Sequence, residues 1–157
     1  MGKVNDVAHS VRTVWCLTPF ASAAARTLWW AMMGRRLLIV DDEPDMLDFL
    51  DRVFRREYEV IRALSVDEAV RHIEAGPLDV IVTDRRMPRR SGLELLEIAA
   101  QRQPHAIRVL LTGYADSLVD EKVTQWRLVD AWVSKPIDST ALKESIAAAA
   151  QKRAQGG

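Results

Sequence analysis

Three acids, a hydroxyl and an amine stand out because each closely follows a short apolar run. Asp41 and Asp42 end Leu37-Leu38-Ile39-Val40, and Asp84 ends Val80-Ile81-Val82-Thr83. Thr112 closes Leu110-Leu111-Thr112-Gly113, and Lys135 comes two residues after Ala131-Trp132-Val133. Runs this short and apolar suit strands covered on both faces. Open α/β sheets place their ligands at the carboxyl ends of such strands. Carboxylates gathered there would repel one another unless a cation stood among them. An open all-oxygen cluster selects Mg²⁺, which takes one or two carboxylates and keeps several waters. Gly113 leaves the backbone room for a close ligand, and a hydroxyl and an ammonium both meet phosphoryl oxygens. Together these groups make a phosphoryl-transfer set in which metal and lysine steady the oxygens while Asp84 attacks. Singly they say less. Asp41 and Asp42 serve equally well as helix caps, and Lys135-Pro136 as a plain turn.

The elements that must position these residues follow from periodicity. Pro44 suits the first turn of a helix carrying Leu47, Leu50 and Phe54, widened by Met46, Phe49 and Val53. Tyr58–Ala63 reads as a second strand. Ser65-Val66-Asp67-Glu68 is a capping box for a helix with Ala69, Val70 and Ile73, closed by Gly76-Pro77. Ser91-Gly92-Leu93-Glu94 opens another, with Leu95, Leu96, Ile98 and Ala99, stopped near Pro104. Ile107–Leu111 is a fourth strand, a helix is expected between Ala115 and Trp126, and Ala131–Val133 is a fifth strand. Asp138 or Ser139 caps a last helix carrying Leu142 and Ile146 out to about Arg153. The alternation predicts an α/β fold: a doubly wound five-stranded parallel sheet flanked by five helices. Strand order 2-1-3-4-5 suits five such units and brings Asp41, Asp42, Asp84, Thr112 and Lys135 to one end.

The chain has 157 residues, zero formal net charge and 28% charged residues, so no overall field points to nucleic acid or an anionic membrane. One cysteine, Cys16, excludes an internal disulfide and fits a reducing, cytoplasmic compartment. Residues 1–34 differ from the rest, holding Trp15, Trp29 and Trp30 and few charges. Arg12, the run Val14 to Ala25 and the small residues Ala21-Ser22-Ala23 resemble a secretory signal. Arg26 and Pro19 interrupt any membrane span, a mid-helix charge costing about 2.5–3.5 kcal/mol on insertion scales. The preferred reading is an extension, poorly ordered or partly helical, or a start at Met33. A single domain then covers 35–153, and 154–157 form a disordered tail.

Taken together, Leu38-Ile39-Val40-Asp41-Asp42-Glu43-Pro44, Val80-Ile81-Val82-Thr83-Asp84-Arg85-Arg86-Met87-Pro88, Leu110-Leu111-Thr112-Gly113 and Ser134-Lys135-Pro136 are similar to the four motifs of response-regulator receiver domains of two-component signalling. The resemblance implies that Asp84 accepts a phosphoryl group from the phosphohistidine of a histidine kinase or phosphotransfer protein. It implies Mg²⁺ held directly by Asp42 and Asp84, through water by Asp41, and by the backbone carbonyl of Arg86. Thr112 and Lys135 would hold the phosphoryl group, with Lys135-Pro136 cis. Trp132 falls where the family carries a switch Tyr or Phe, so Thr112 and Trp132 would form the switch. Kinase docking is expected on the first helix near Met46 and Leu47, with the loop around Asp84.

The chain stops soon after the last helix, so the expectation is a stand-alone receiver. It would be a monomer or transient dimer without direct nucleic-acid binding, signalling to a downstream protein target. It would be no enzyme beyond its own phosphotransfer and dephosphorylation. One alternative is a phosphorylation-independent adaptor; another is a receiver detached from a larger hybrid kinase or regulator. A haloacid-dehalogenase-type phosphatase needs an acid two residues after the nucleophile, where this chain has Arg86. Arg85, Arg86, Arg89 and Arg90 either attract a phosphodonor, shield the acyl phosphate or form a solvated basic loop. Tyr114 either covers the site or lines its loop.

Overall fold

The computed structural model describes residues 34–113 and 128–155. The strands are β1 (Arg35–Val40), β2 (Tyr58–Ala63), β3 (Val80–Asp84), β4 (Ile107–Thr112) and β5 (Ala131–Ser134). Among the described residues the helices are α1 (Pro44–Phe54), α2 (Val66–Ala75), α3 (Gly92–Arg102) and α4 (Ser139–Gln155). The helix expected between Ala115 and Trp126 lies outside the described residues, as does Tyr114. All strand pairs are parallel, in the order β2-β1-β3-β4-β5. This is the predicted α/β sheet.

Period-two alternation inside fully buried strands gives the sheet two apolar faces. Leu38, Val40, Ile81 and Leu110 pack with Val66, Ala69 and Ile73 of α2 and Leu95, Leu96 and Ala99 of α3. Leu37, Ile39, Val82, Val109 and Leu111 pack with Leu47, Leu50 and Phe54 of α1 and Leu142 and Ile146 of α4. Leu47 is only 1% exposed. Leu47 therefore belongs to the core stripe and is closed to a partner, while Met46 beside it is only partly buried.

The caps explain where the helices begin. Ser91 Oγ accepts from the Glu94 amide at 3.3 Å while the Glu94 carboxylate accepts from the Ser91 amide at 3.4 Å, a complete capping box. In α2, Ser65 Oγ accepts from the Glu68 amide, but Glu68 reaches one residue further, to the Leu64 amide at 2.8 Å. Asp138 caps α4, its Oδ1 accepting from the amides of Thr140 and Ala141. The helix continues to Gln155, two residues beyond the expected end. Lys152 and Arg153 in its last turn complement the helix dipole.

Two side-chain clusters tie the far ends of these elements. Gln103 Nε2 donates to Ile73 O and Gly76 O at 2.9 and 3.0 Å, and its Oε1 accepts from the Leu78 amide at 3.3 Å. Asp130, just before β5, accepts two bonds from the Arg153 guanidinium at 2.8 Å, and Arg153 also donates to Pro104 O. Buried Arg108 approaches the same carboxylate at 3.4 Å.

Candidate functional site at the carboxyl ends of the strands

Parallel pairing brings the tips of β1, β3 and β4 side by side, with Val40 opposite Thr83 and Asp84 opposite Leu111. Asp41 is fully buried just past the end of β1. Its Oδ1 accepts from the Glu43 amide at 2.9 Å and its Oδ2 from Lys135 Nζ at 3.0 Å. Asp84 is 7% exposed, its Oδ1 lying 2.9 Å from Lys135 Nζ and its Oδ2 accepting from the Arg86 amide at 3.0 Å. One ammonium therefore spans the carboxylates of two strand tips. Lys135 reaches them from the end of β5, where its amide donates to Thr112 O at 2.7 Å and its bond to Pro136 is cis.

The charges explain one another. Burial pushes the Asp84 carboxyl above its ordinary range, the bond and charge of Lys135 pull it down, and the Asp41 carboxylate adds to the rise. Burial works against the Lys135 ammonium, but its bonds to Asp84 and Asp41 and their charges outweigh that and raise its pKa. Both partners shifting upward looks contradictory for an ion pair. It follows chiefly from burial of Asp84, which outweighs the pull of an ammonium that it shares with Asp41.

Asp42 stands apart. It is exposed and has no hydrogen-bond or ion-pair partner among the described residues. Capping does not account for it, since the N-cap of α1 is Glu43 and no side chain caps that helix. Asp42 lines a cavity of about 200 Å³ together with Ser65, Asp67 and Arg89. The Thr112 side chain is nearly buried, and its hydroxyl makes no hydrogen bond among the described residues. Trp132 sits opposite Leu110 in β5, partly buried against the core on the α2–α3 face.

The donor chemistry fits a hard divalent cation. Two carboxylates, Asp41 and Asp84, share a single ammonium, Asp42 follows directly in the chain, and Mg²⁺ takes no more than one or two carboxylates directly. Among the described residues no group of three acidic, histidine or cysteine side chains is placed to hold a metal ion. An open site completed by water is what the donors support.

One close approach and one backbone conformation in this region escaped the sequence reading. Gly92 packs so closely on the tip of β3 that a Cβ there would lie 2.0 Å from the Asp84 carbonyl oxygen and 3.0 Å from Thr83 Oγ1. Its amide donates to Arg85 O at 3.0 Å, which fixes the acceptor loop to the start of α3. A glycine at the first helical position, where it is a poor helix former, was the available signal. Arg89 has φ +70°, the one left-handed non-glycine residue among those described, and no local sequence cue marks it. Of the other loop arginines, Arg90 is bonded to Asp67 at 3.0 Å and Glu94 at 3.3 Å, and Arg85 and Arg86 are also engaged.

A family model described as response regulator receiver domain matches residues 37–147. The response regulator protein PilR of Pseudomonas aeruginosa is 32% identical over 123 residues, covering 78% of this chain and 27% of PilR. The hydrogenase transcriptional regulatory protein HoxA of Cupriavidus necator is 38% identical over 81 residues, covering 52% of this chain and 17% of HoxA. This chain thus spans under a third of the length of either regulator. Among solved structures, a CheY-like receiver domain protein of Methanospirillum hungatei is 29% identical with TM-score 0.69, covering 79% of this chain and 99% of its own. TrrA of Thermotoga maritima, solved in complex with Mg(2+)-BeF, is 30% identical with TM-score 0.65, covering 73% of this chain and 98% of its own.

Proposed function

Since the chain belongs to the response regulator receiver family, we propose that Asp84 is its phosphoacceptor, charged by the phosphohistidine of a histidine kinase or phosphotransfer protein. The observation that carries this reading is the Lys135 ammonium 2.9 Å from Asp84 Oδ1 at the tip of β3, beside the tip of β4 that carries Thr112. An Asp84 carboxylate oxygen attacks phosphorus, the P–N bond to the donor imidazole breaks, and its electron pair stays on that ring nitrogen, so the imidazole leaves neutral with its proton on the other nitrogen. Lys135 turns toward a phosphoryl oxygen, and the Thr112 hydroxyl donates to another. Hydrolysis adds water to the acyl phosphate, releasing inorganic phosphate and restoring the carboxylate.

Mg²⁺, as in the family, would be held by Asp42, Asp84 and the Arg86 carbonyl, with Asp41 acting through water, and would supply neutralisation of phosphoryl charge. The acyl phosphate adds about one and a half to two negative charges, by analogy with phosphorylated hydroxyls. Movement of Thr112 toward that charge frees space beside Leu110 for the Trp132 ring, changing the surface around β5 for a downstream protein.

The domain acts by protein contact, without nucleic-acid binding or turnover of an external substrate, in the cytoplasm. Among the described residues no helix is long and apolar enough to cross a membrane. A second reading, as the receiver portion of a longer regulator, is favoured by the greater length of PilR and HoxA. Incubation with acetyl phosphate and Mg²⁺, followed by intact-mass measurement, tests the acceptor. One phosphoryl group on the wild type and none on Asp84→Asn is expected. Absence of labelling on the wild type refutes it and favours the phosphorylation-independent adaptor, and equal labelling of Asp84→Asn refutes it by placing the acceptor elsewhere. Calorimetric Mg²⁺ titration of Asp42→Asn, expected to weaken binding, checks the metal site without reference to phosphorylation.

A further inference from the structure

On the β2 side of the Asp84 mouth, Leu64 is 48% exposed, the one large apolar side chain so exposed among the described residues. It forms a ridge between two hollows. One, of about 200 Å³, also takes in Asp42, Pro88 and Arg89; the other, of about 130 Å³, takes in Pro44 and Arg62. The charges around this ridge are nearly all paired. Arg90 is held by Asp67 and Glu94, and Arg62 by Asp48 at 2.6 Å. Asp42 and Arg89 are the exceptions, and Arg89 is the one cation among them, exposed and without a hydrogen-bond or ion-pair partner among the described residues. It also adopts a left-handed backbone that is unfavourable for an L side chain and free of cost for glycine. Nothing in the local fold uses the guanidinium that this backbone presents.

We propose that Leu64 and Arg89 form a docking site for the phosphodonor protein, engaging an apolar side chain with a carboxylate beside it. The proposal rests on Asp84 being the acceptor. A protein that brings a phosphoryl group to Asp84 must cover this mouth, and the larger hollow is lined by Pro88 and Arg89 of the loop that follows Asp84. The one unpaired cation lining these hollows selects an acidic partner, and an exposed leucine flanked by hollows supplies the apolar anchor. Leu47, buried in the core, does not provide that anchor.

The test compares two donors. One is acetyl phosphate, too small to need docking. The other is the purified, ³²P-phosphorylated histidine kinase core that labels the wild type fastest among a panel. Arg89→Glu is expected to slow kinase-driven labelling at subsaturating donor by about tenfold or more, since an attractive contact becomes repulsive. Leu64→Ala is expected to slow it as well, and both variants keep the wild-type rate with acetyl phosphate. Rising salt should slow kinase-driven labelling of the wild type more steeply than that of Arg89→Gln. Arg89→Gly should lose kinase-driven rate while keeping or raising the urea midpoint, which separates docking from folding.

Unchanged kinase-driven rates overturn the proposal, as do equal losses with both donors. Failure of every kinase core on a wild type that acetyl phosphate labels also overturns it. A dimer of the wild type that Arg89→Glu disperses, seen by sedimentation, would assign the site to a second copy instead. Failure of acetyl phosphate on the wild type sinks the acceptor reading itself, a distinct result that takes this proposal with it.

Discussion

Replacing Gly92 by alanine puts a methyl group where the tip of β3 already stands. The new carbon would lie 2.0 Å from the Asp84 carbonyl oxygen and 3.0 Å from both the Asp84 carbonyl carbon and Thr83 Oγ1, against ordinary contacts of 3.4–4 Å. Relief requires α3 or the acceptor strand to shift by more than an ångström, because the closest atoms are backbone. Overpacking of this kind costs about 1–3 kcal/mol. Alanine recovers about 0.5–1 kcal/mol over glycine within a helix, leaving a net loss of up to about 2.5 kcal/mol, with a midpoint of ~1.2 kcal/mol. Urea unfolding at unchanged slope measures it. Gly76→Ala is the control. There the new carbon meets only the far end of the Arg36 side chain, at 2.9 Å, and stability should stay within about 0.5 kcal/mol of wild type. Because the shift falls on the acceptor residue, labelling of Gly92→Ala by acetyl phosphate should slow as well. A Gly92→Ala protein as stable as the wild type and labelled at the same rate would refute the argument that this close approach positions Asp84.

Two further outcomes are expected. Gln103→Ala removes two bonds to Ile73 O and Gly76 O and one from the Leu78 amide, so a loss of about 2–3 kcal/mol is expected in urea, and a loss below about 0.5 kcal/mol would contradict the bonding. Asp79, which accepts from the Arg36 amide at 2.7 Å, has its carboxyl raised above the ordinary 3.8 chiefly by burial, against the pull of that bond and of Arg35 and Arg36. A raised folded pKa means that stability is fully present below the unfolded value and lost as pH rises through the folded one. Asp79→Asn keeps an acceptor without the charge, so it should match or exceed wild-type stability at neutral pH, with the advantage vanishing in acid. Paired urea midpoints across that range measure it, and an Asn variant weaker only at neutral pH would reverse the sign.

The strand tips were legible because a run such as Val80-Ile81-Val82 has one use in a compact domain, and a polar residue at its end has few places to go. Strand limits moved by a residue or two, as at Arg35 and Ser134, where backbone pairing continues past the apolar run. What sequence could not supply was contact between distant segments. Lys135 meets Asp41 across 94 residues of chain, so its role as a bridge between acids is visible only once the tips are assembled. The closeness of Gly92 to Asp84 is likewise a property of two elements packed together. Leu47 carried the helical period correctly, but period alone does not say which apolar residues of a stripe reach a partner. Arg89 is opaque for another reason, since a left-handed arginine opposes local preference and is imposed by the loop around it.

The grip of Arg153 on Asp130 and Pro104 O lies near the C-terminal end of α4, while its other end follows Lys135 and Pro136. Arg153 thus ties down the end of the helix farther from the acceptor, and a chain cut before Arg153 would lose that tie to Asp130 and Pro104.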